Sequence, residues 1–191
     1  GGTAVFKIPN NKLVGELRIK KVDSKNSSTT LSGVEYKLKA TDKSGNLKYI
    51  RVKADGSNVT ADDKGWAKKA VGTVTIKDST NESSNPTFYY VDEASYATTF
   101  VTDSNGEIYI KNLLTSYNGT SIKYQLEEIK NPHYGYTSVS GLTIDKIEDN
   151  KTASVRTVTN DKQTGNIGIT KVDSKNSGTK LEGVEYVLTS S

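Results

Sequence analysis

The two ends of the chain repeat each other. Residues 21–27 (KVDSKNS) recur unchanged at 171–177, and residues 33–36 (GVEY) recur at 183–186. Aligned without gaps at this offset of 150, residues 1–41 and 151–191 share 19 identical positions. A fixed period is typical of tandem arrays of one structural unit, so the sequence predicts a repeating domain about 150 residues long.

The repeat also predicts how the chain divides. Residues 1–12 are expected to form the last strand of a preceding repeat, 13–162 one complete domain, and 163–191 the first strands of a following repeat. The joining segments are short, so successive domains should lie close together. Unpaired strands need partners, and we therefore expect Asn10 to lie near a Lys171 of the same chain or of a neighbouring molecule.

Hydrophobic periodicity predicts an all-β fold. In residues 34–40 apolar side chains at even positions alternate with charged side chains at odd positions, which is the pattern of a strand with one buried face. Turn sequences rich in Asp, Asn, Ser and Gly separate such runs. The same pattern occurs at 17–19, 108–110, 122–126 and 142–144. Many short strands with turns between them predict a β-sandwich.

One part of the chain interrupts this pattern. Residues 55–86 are rich in Ser, Asn, Asp and Thr, and we interpret about 41–96 as an elaborated polar insertion. A strand is predicted near 74–76 and a short helix near 62–69. Trp66, together with Tyr89, Tyr90 and Tyr96 of the same region, forms either an exposed aromatic binding patch or the small core of the insertion, and the second is preferred.

Strand parity directs three polar side chains toward the core. On the first strand, alternate apolar residues lead to Lys21 on the inward face. The strand that begins near residue 122 continues its inward series to Glu128, and the closing strand places Asn160 on its inward face. Burial favours the neutral form of both an amine and a carboxyl group.

A neutral amine is a nucleophile, and a protonated carboxyl group can polarise an amide. Lys21 could therefore bond to the Asn160 side chain with loss of ammonia, while Glu128 shuttles the proton. Two ordinary alternatives remain open: frayed strand ends that leave all three side chains in water, and a simple Lys21–Glu128 ion pair. Parity alone favours these alternatives, because structural ion pairs are common.

Five ordered motifs carry a resemblance to a known family. They are Gly15, Leu17, Ile19, Lys21 and Asp23; Leu31, Gly33, Tyr36 and Leu38; Thr102, Asp103 and Gly106; Tyr124, Leu126 and Glu128; and Pro132, Gly135 and Tyr136 with the closing Asn160. In this combination the sequence resembles the Cna-B (SpaA-type) domains of Gram-positive cell-surface proteins. The resemblance covers both ends and the 97–162 half, and the insertion falls outside it.

The resemblance implies a prealbumin-like or reverse immunoglobulin-like β-sandwich. It further implies a spontaneous isopeptide bond between Lys21 and Asn160, assisted by Glu128. These are the three residues that parity selects. The equivalent positions in the partial flanking repeats are Asn10 and Lys171.

Composition excludes several other kinds of chemistry. The chain has no Cys and a single His, which excludes disulfides and thiol nucleophiles and leaves no His-rich metal site, so we expect no metal and no cofactor. The 26 basic and 22 acidic residues are interspersed, which argues against nucleic-acid binding. No apolar run is long enough for membrane insertion. His133 is expected to be solvated, and Asp103 to lie in a hairpin turn rather than a calcium site.

Together these features predict a structural stalk repeat of a cell-wall-anchored adhesin or fibrous protein on a bacterial surface. Its expected partners are neighbouring repeats of the same polypeptide. It is not expected to be an enzyme, because the crosslinking reaction happens once and consumes its own residues. Two alternatives remain: a module that binds a host matrix protein or glycan through 41–96, and a sortase-assembled pilin subunit.

Overall fold

The predicted all-β sandwich is confirmed. A computed structural model describes residues 12–56, 58–77, 88–137 and 141–189. Within these residues the chain forms one short 3-10 helix, Ala94–Tyr96, and fifteen strands, which enclose one hydrophobic core. In chain order the strands are β1 Val14–Asp23, β2 Glu35–Thr41, β3 Leu47–Val52, β4 Ala54–Asp55, β5 Val59–Ala61, β6 Ala67–Val71, β7 Thr73–Ile76, β8 Phe88–Val91, β9 Thr99–Val101, β10 Glu107–Leu114, β11 Ser116–Tyr117, β12 Thr120–Ser121, β13 Tyr124–Lys130, β14 Leu142–Ile144 and β15 Val155–Asn160.

The first sheet has the strand order β15-β1-β10-β7-β4. Its second strand, β1, runs antiparallel to β10 and parallel to β15. Leu17 and Ile19 are buried on the inward face of β1, whereas Arg18 points outward and pairs with Glu107 at 2.6 Å. The period-2 pattern therefore sets which side chains of β1 reach the core.

The second sheet has the order β14-β13-β2-β9-β6-β5, and β3 joins it by pairing with β2 and β8. The β2–β3 hairpin turns at Asp42, whose carboxylate accepts hydrogen bonds from the backbone N–H groups of Ser44 and Asn46. The β13–β2 ladder shifts register between Glu128 and Lys130. A bulge of this kind ends regular pairing and redirects the chain, so Glu128 is the last residue of β13 on the regular inward series.

The insertion is not a polar appendage to the sandwich. It supplies β4 and β7 to the first sheet and β3, β5, β6 and β8 to the second. Ile50, Val74, Ile76 and Phe88 from this region are buried in the main core. The predicted strand near 74–76 is present as β7. The other strands are only two to six residues long, so their apolar residues do not stand out from the polar composition of the region.

The short helix predicted near 62–69 is wrong. The structure has a β5–β6 hairpin there, with a turn that begins at Asp62. The Asp62 carboxylate accepts hydrogen bonds from the backbone N–H groups of Lys64 and Trp66, and Gly65 has a φ of +78°. Asp at the start of a turn and Gly at its left-handed position outweigh the weak helical preference of the residues between them.

The aromatic residues of the insertion do not form a small core of their own, which corrects the preferred interpretation of Trp66. This side chain is half-buried on the outer surface, where its ring meets the ring of Tyr89 edge-on at 5.2 Å. The Arg51 guanidinium lies 4.6 Å from the ring centroid of Trp66 and the Lys53 ammonium 5.0 Å. The cluster is therefore a cationic aromatic patch on the surface.

Of the two repeated terminal segments, the structure describes the first from residue 12 and the second as far as residue 189. Asn10 lies outside the described residues, so its predicted approach to Lys171 stays a prediction, as does the division into repeats. Residues 163–189 contain no strand and Lys171 is exposed. Even so, Leu181 N donates to Lys171 O at 2.9 Å, as Leu31 N does to Lys21 O. The backbone of this turn is thus encoded locally by the repeated sequence.

Candidate functional site

The candidate site is assembled from three strands in two sheets. Lys21 and Asn160 come from the adjacent parallel strands β1 and β15, in which Lys21 is opposite Val158 and Asp23 is opposite Asn160. Glu128 comes from β13 in the other sheet. Side chains that are far apart in sequence therefore meet across the core of the sandwich.

One carboxylate contacts both nitrogen atoms of the site. Lys21 Nζ lies 2.8 Å from Glu128 Oε2, and Asn160 Nδ2 donates a hydrogen bond to Glu128 Oε1 at 2.8 Å. Lys21 Nζ also approaches the backbone oxygen of Thr159 at 3.4 Å. Each oxygen of Glu128 thus faces a different nitrogen.

The three side chains are removed from solvent. Lys21 is 0% and Asn160 1% exposed, and the side chain of Glu128 is 2% exposed. The alternative in which frayed strand ends leave all three in water is therefore wrong. Burial lowers the pKa of Lys21, although the hydrogen bond and the charge of Glu128 act in the opposite direction. The alternative of an ordinary ion pair is compatible with this geometry.

Tyr36 is a fourth member of the site; the sequence motifs include it but give it no role. Its hydroxyl group donates to Glu128 Oε2 at 3.2 Å, and the Lys21 ammonium lies 5.9 Å from its ring centroid. Burial, together with the negative charge of Glu128, raises the pKa of Tyr36 far above its usual range. The hydroxyl group is thus a permanent donor. Tyr36 recurs as Tyr186 in the repeated GVEY sequence, and this recurrence is the sequence signal that could have identified it as a site residue.

The amide of Asn160 is only half satisfied. Its Oδ1 atom is buried and has no hydrogen-bond partner within the described part of the chain. Burying an acceptor without a partner costs about 1–3 kcal/mol. Such groups are rare in folded proteins and call for an explanation, of which a chemical role is one.

The other predicted site features have simpler outcomes. Asp103 accepts hydrogen bonds from the backbone of Asn105 and Glu107, so its turn is the expected hairpin. The expectation that His133 is solvated is wrong, because it is half-buried with Nε2 2.7 Å from Ser32 O. No group of three or more metal-ligating side chains is found in the described residues. The described residues also contain no helix long and apolar enough to cross a membrane.

The inward face of β15 is open at its beginning. Arg156 is exposed there and lines a cleft of about 380 Å³ whose floor includes Leu17 and Ile144. In the preceding sequence repeat the same position is Phe6. The apolar packing of β15 is therefore concentrated near its end, close to Asn160.

Comparisons with known proteins identify the fold. No family model matches the chain, and no curated protein matches it in sequence. The C-terminal domain of the shaft pilin SpaA from Lactobacillus rhamnosus GG superposes with a TM-score of 0.53 at 18% identity, over 80% of this chain and 100% of that domain. The longer SpaA structure gives a TM-score of 0.52 at 18% identity, over 82% of this chain and 50% of SpaA.

The chain thus shares the β-sandwich fold of these shaft pilins. More narrowly, this agrees with the fold that the resemblance to SpaA-type (Cna-B) domains implies. The chain spans about half the length of the longer shaft pilin.

Proposed function

We propose that this domain is a structural repeat of a Gram-positive surface stalk, sealed by an isopeptide bond between Lys21 and Asn160. The observation that carries the proposal is the contact of a single buried carboxylate, Glu128, with both nitrogen atoms at 2.8 Å. The pilin-type fold and the 150-residue sequence repeat support the structural role.

The proposed reaction balances within the three side chains. Lys21 gives a proton to Glu128 Oε2, and the neutral amine attacks Cγ of Asn160. An N–C bond forms, the Cγ–Nδ2 bond breaks, and Nδ2 leaves as ammonia after it takes a proton from the carboxyl group of Glu128. The attacking nitrogen then loses its extra proton to the Glu128 carboxylate, so the products are a neutral amide, ammonia and protonated Glu128. No oxidant, reductant or cofactor is required, and Glu128 acts in turn as a base, an acid and again a base.

Burial and fixed geometry both favour formation of the isopeptide bond. Desolvation favours transfer of the proton from ammonium to carboxylate, because two neutral groups are less costly in the core than two charges. The fold holds the reacting groups together, so the step is effectively unimolecular, and such preorganisation can contribute about 7–11 kcal/mol to lowering a barrier. A reaction that is slow in water then becomes accessible.

The bond would stabilise the domain mainly through its unfolded state. It would join the first and last strands of the domain and enclose residues 22–159 in a covalent loop. Closing a loop of this size contributes about 5 kcal/mol in the chain-entropy model. A chain without cysteines would gain in this way what disulfides give other extracellular proteins.

The proposed location is the bacterial cell surface, with neighbouring repeats as the partners. Its support is the pilin fold, since shaft pilins form surface fibres, and the internal sequence repeat. Anchoring to the cell wall, and assembly into an adhesin or a pilus, follow from the same proposal. The role requires no turnover chemistry.

A second candidate function is ligand binding by the inserted region. The observation that favours it is the surface patch formed by Trp66, Tyr89, Arg51 and Lys53, because aromatic rings beside cations suit acidic glycans or acidic segments of a matrix protein. If other repeats of the same polypeptide carry the same insertion, a stalk role is favoured, whereas a unique insertion favours binding.

Intact mass spectrometry of the purified protein tests the crosslink. The expected mass is that of the sequence minus one ammonia, and fragmentation should join the peptides that contain Lys21 and Asn160. Lys21→Ala and Glu128→Ala should both restore the full mass. Asn160→Ala should do the same while leaving the buried ion pair intact, so a folded variant without the bond is available.

Lys171→Ala is the matched control, because Lys171 lies in the same seven-residue sequence as Lys21 but is exposed. This variant should lose ammonia as the wild type does. A wild-type protein that keeps its full sequence mass would overturn the proposed crosslink.

A further inference from the structure

The strand that carries Asn160 is weakly held by packing. Among the residues that the structure describes, β15 lies at the edge of its sheet and pairs only with β1. Of its six residues only Asn160 is buried, and Val158 is partly buried against the core. An edge strand with so few apolar contacts opens readily, so a further contact at its end would help to keep Asn160 beside Lys21.

The loop at residues 131–137 supplies such a contact. Just after β15, Thr137 N donates to Asp161 O at 3.0 Å and Gln163 N donates to Gly135 O at 2.8 Å. These backbone bonds make the loop a partner for the chain that leaves the domain. We call this loop, together with residues 161–163, the clamp.

A side-chain bond fastens the clamp to β1. Tyr136, near the end of the loop, donates its hydroxyl proton to Asp23 Oδ2 at 2.7 Å. Asp23 is the residue of β1 directly opposite Asn160. The backbone N–H of Ser24 donates to Asn160 O at 3.0 Å, which completes a closed set of contacts around the end of β15.

The Asp23 carboxylate, which accepts the bond from Tyr136, is also held through its second oxygen. Asp23 Oδ1 accepts hydrogen bonds from the backbone N–H groups of Lys25 and Asn26, and Asp23 is 8% exposed. The bond from Tyr136, followed by those from the backbone, lowers the pKa of Asp23. The carboxylate is therefore a rigid and charged anchor, and hydrogen bonds to charged groups are stronger than neutral ones.

We propose that Tyr136 is a positioning residue for the crosslink: its bond to Asp23 holds Asn160 against Lys21 and Glu128 until the amide has formed. This inference rests on the proposed function. Tyr136 touches none of the reacting atoms and acts through the backbone on either side of Asn160. Once the covalent bond is present the clamp is no longer needed for alignment, so its effect falls on the rate of bond formation.

The chain offers a matched pair of variants. Tyr136→Phe removes only the hydroxyl group and keeps the ring beside His133. Tyr134→Phe removes the same group two residues away, where the side chain is 95% exposed. Cell-free synthesis, with samples quenched at intervals in denaturing acid, gives the rate of ammonia loss for each variant by intact mass.

Tyr136→Phe should crosslink about tenfold more slowly than the wild type, the effect of losing one hydrogen bond to a charged group. Tyr134→Phe should match the wild type. Asp23→Asn should be slow as well, and the double variant should be no slower than Asp23→Asn alone, because both substitutions remove one interaction. Equal rates for Tyr136→Phe and the wild type, or additive effects in the double variant, would overturn the proposal.

A second measurement does not depend on the crosslink. In Asn160→Ala, which cannot react, hydrogen exchange at the amides of Thr137 and Gln163 reports on opening of the clamp. Adding Tyr136→Phe should accelerate this exchange about tenfold, whereas Tyr134→Phe should not. Unchanged exchange would overturn the clamp itself. Accelerated exchange on adding Tyr136→Phe, together with a wild-type protein that loses no ammonia, would overturn only the crosslink.

Discussion

Lys21 and Glu128 form an ion pair in the interior of the sandwich, with Nζ 2.8 Å from Oε2 and side chains 0% and 2% exposed. Replacing a buried pair of this kind by apolar residues is often neutral or stabilising, because desolvation of both ions offsets their attraction. Stability alone therefore does not explain why the core contains it. The adjacent amide of Asn160 gives the pair a chemical use.

Glu128→Gln should abolish ammonia loss. The amide keeps the size of the carboxylate but cannot accept the proton of Lys21. The lysine would also be left buried without a counter-charge, which should destabilise the fold by about 3–5 kcal/mol beyond the loss of the crosslink. Intact mass and urea unfolding measure the two effects.

The neighbouring Glu127→Gln is the control for this substitution. Glu127 lies on the outer face of β13 and pairs with Lys39 at 2.7 Å. This variant should crosslink fully. Complete ammonia loss in Glu128→Gln would show that the carboxylate is not the proton shuttle.

Gly106→Ala should destabilise the domain by about 2 kcal/mol. Gly106 has a φ of +73°, and an added Cβ would lie 2.6 Å from Lys21 O and 3.2 Å from Leu31 N. Gly45 has a similar φ of +81° with open space around it, so Gly45→Ala should cost only about 1 kcal/mol. Urea unfolding of both glycine variants in the Asn160→Ala background measures the two losses of stability. Equal losses would contradict the packing argument.

Asp23 should contribute a specific part of the acid sensitivity of the uncrosslinked domain. Its pKa is lowered in the folded state, first by the bond from Tyr136, so its ionised form stabilises the fold. This stabilisation is present above the unfolded pKa of about 4 and is lost as the pH falls through the lower folded value. In the Asn160→Ala background, Asp23→Asn should therefore lose less stability on acidification below about pH 4 than its parent. Parallel pH profiles in urea unfolding would contradict this.

Trypsin should distinguish two identical sequences by their burial. Lys21 is buried on β1, whereas Lys171 occupies the same seven-residue sequence in an exposed segment without strands. Cleavage after Lys171 should be rapid, and cleavage after Lys21 should require unfolding of the domain. Mass analysis of the early fragments tests this, and equally rapid cleavage at both sites would contradict the burial of Lys21.

Parity was a strong predictor for the long strands and a weak one for the insertion. β1 and β13 are ten and seven residues long, and burial alternates along β1 as far as Lys21 and along β13 from Tyr124 to Glu127, so the inward direction of Lys21 and Glu128 can be worked out from spacing alone. The strands between residues 54 and 76 have two to five residues each, which is too short for a period to stand out from a polar composition.

Sequence spacing could not predict the contacts of the two tyrosine hydroxyl groups. Tyr36 meets Glu128 across 92 positions, and Tyr136 meets Asp23 across 113. Both tyrosines belong to motifs that were noted, but a motif identifies a residue without its partner. Their roles depend on which loops and strands the tertiary fold brings together.

The parallel pairing of β1 with β15 also determines how the domain would respond to a pulling force. The chain enters at the start of β1 and leaves at the end of β15, and six residue pairs join the two strands side by side. Tension between entry and exit would therefore act along the strands and load all the rungs of the ladder together, in shear, instead of peeling them one at a time. A bond between Lys21 and Asn160 would place a covalent link in parallel with those rungs, so that the strands could not slide past one another.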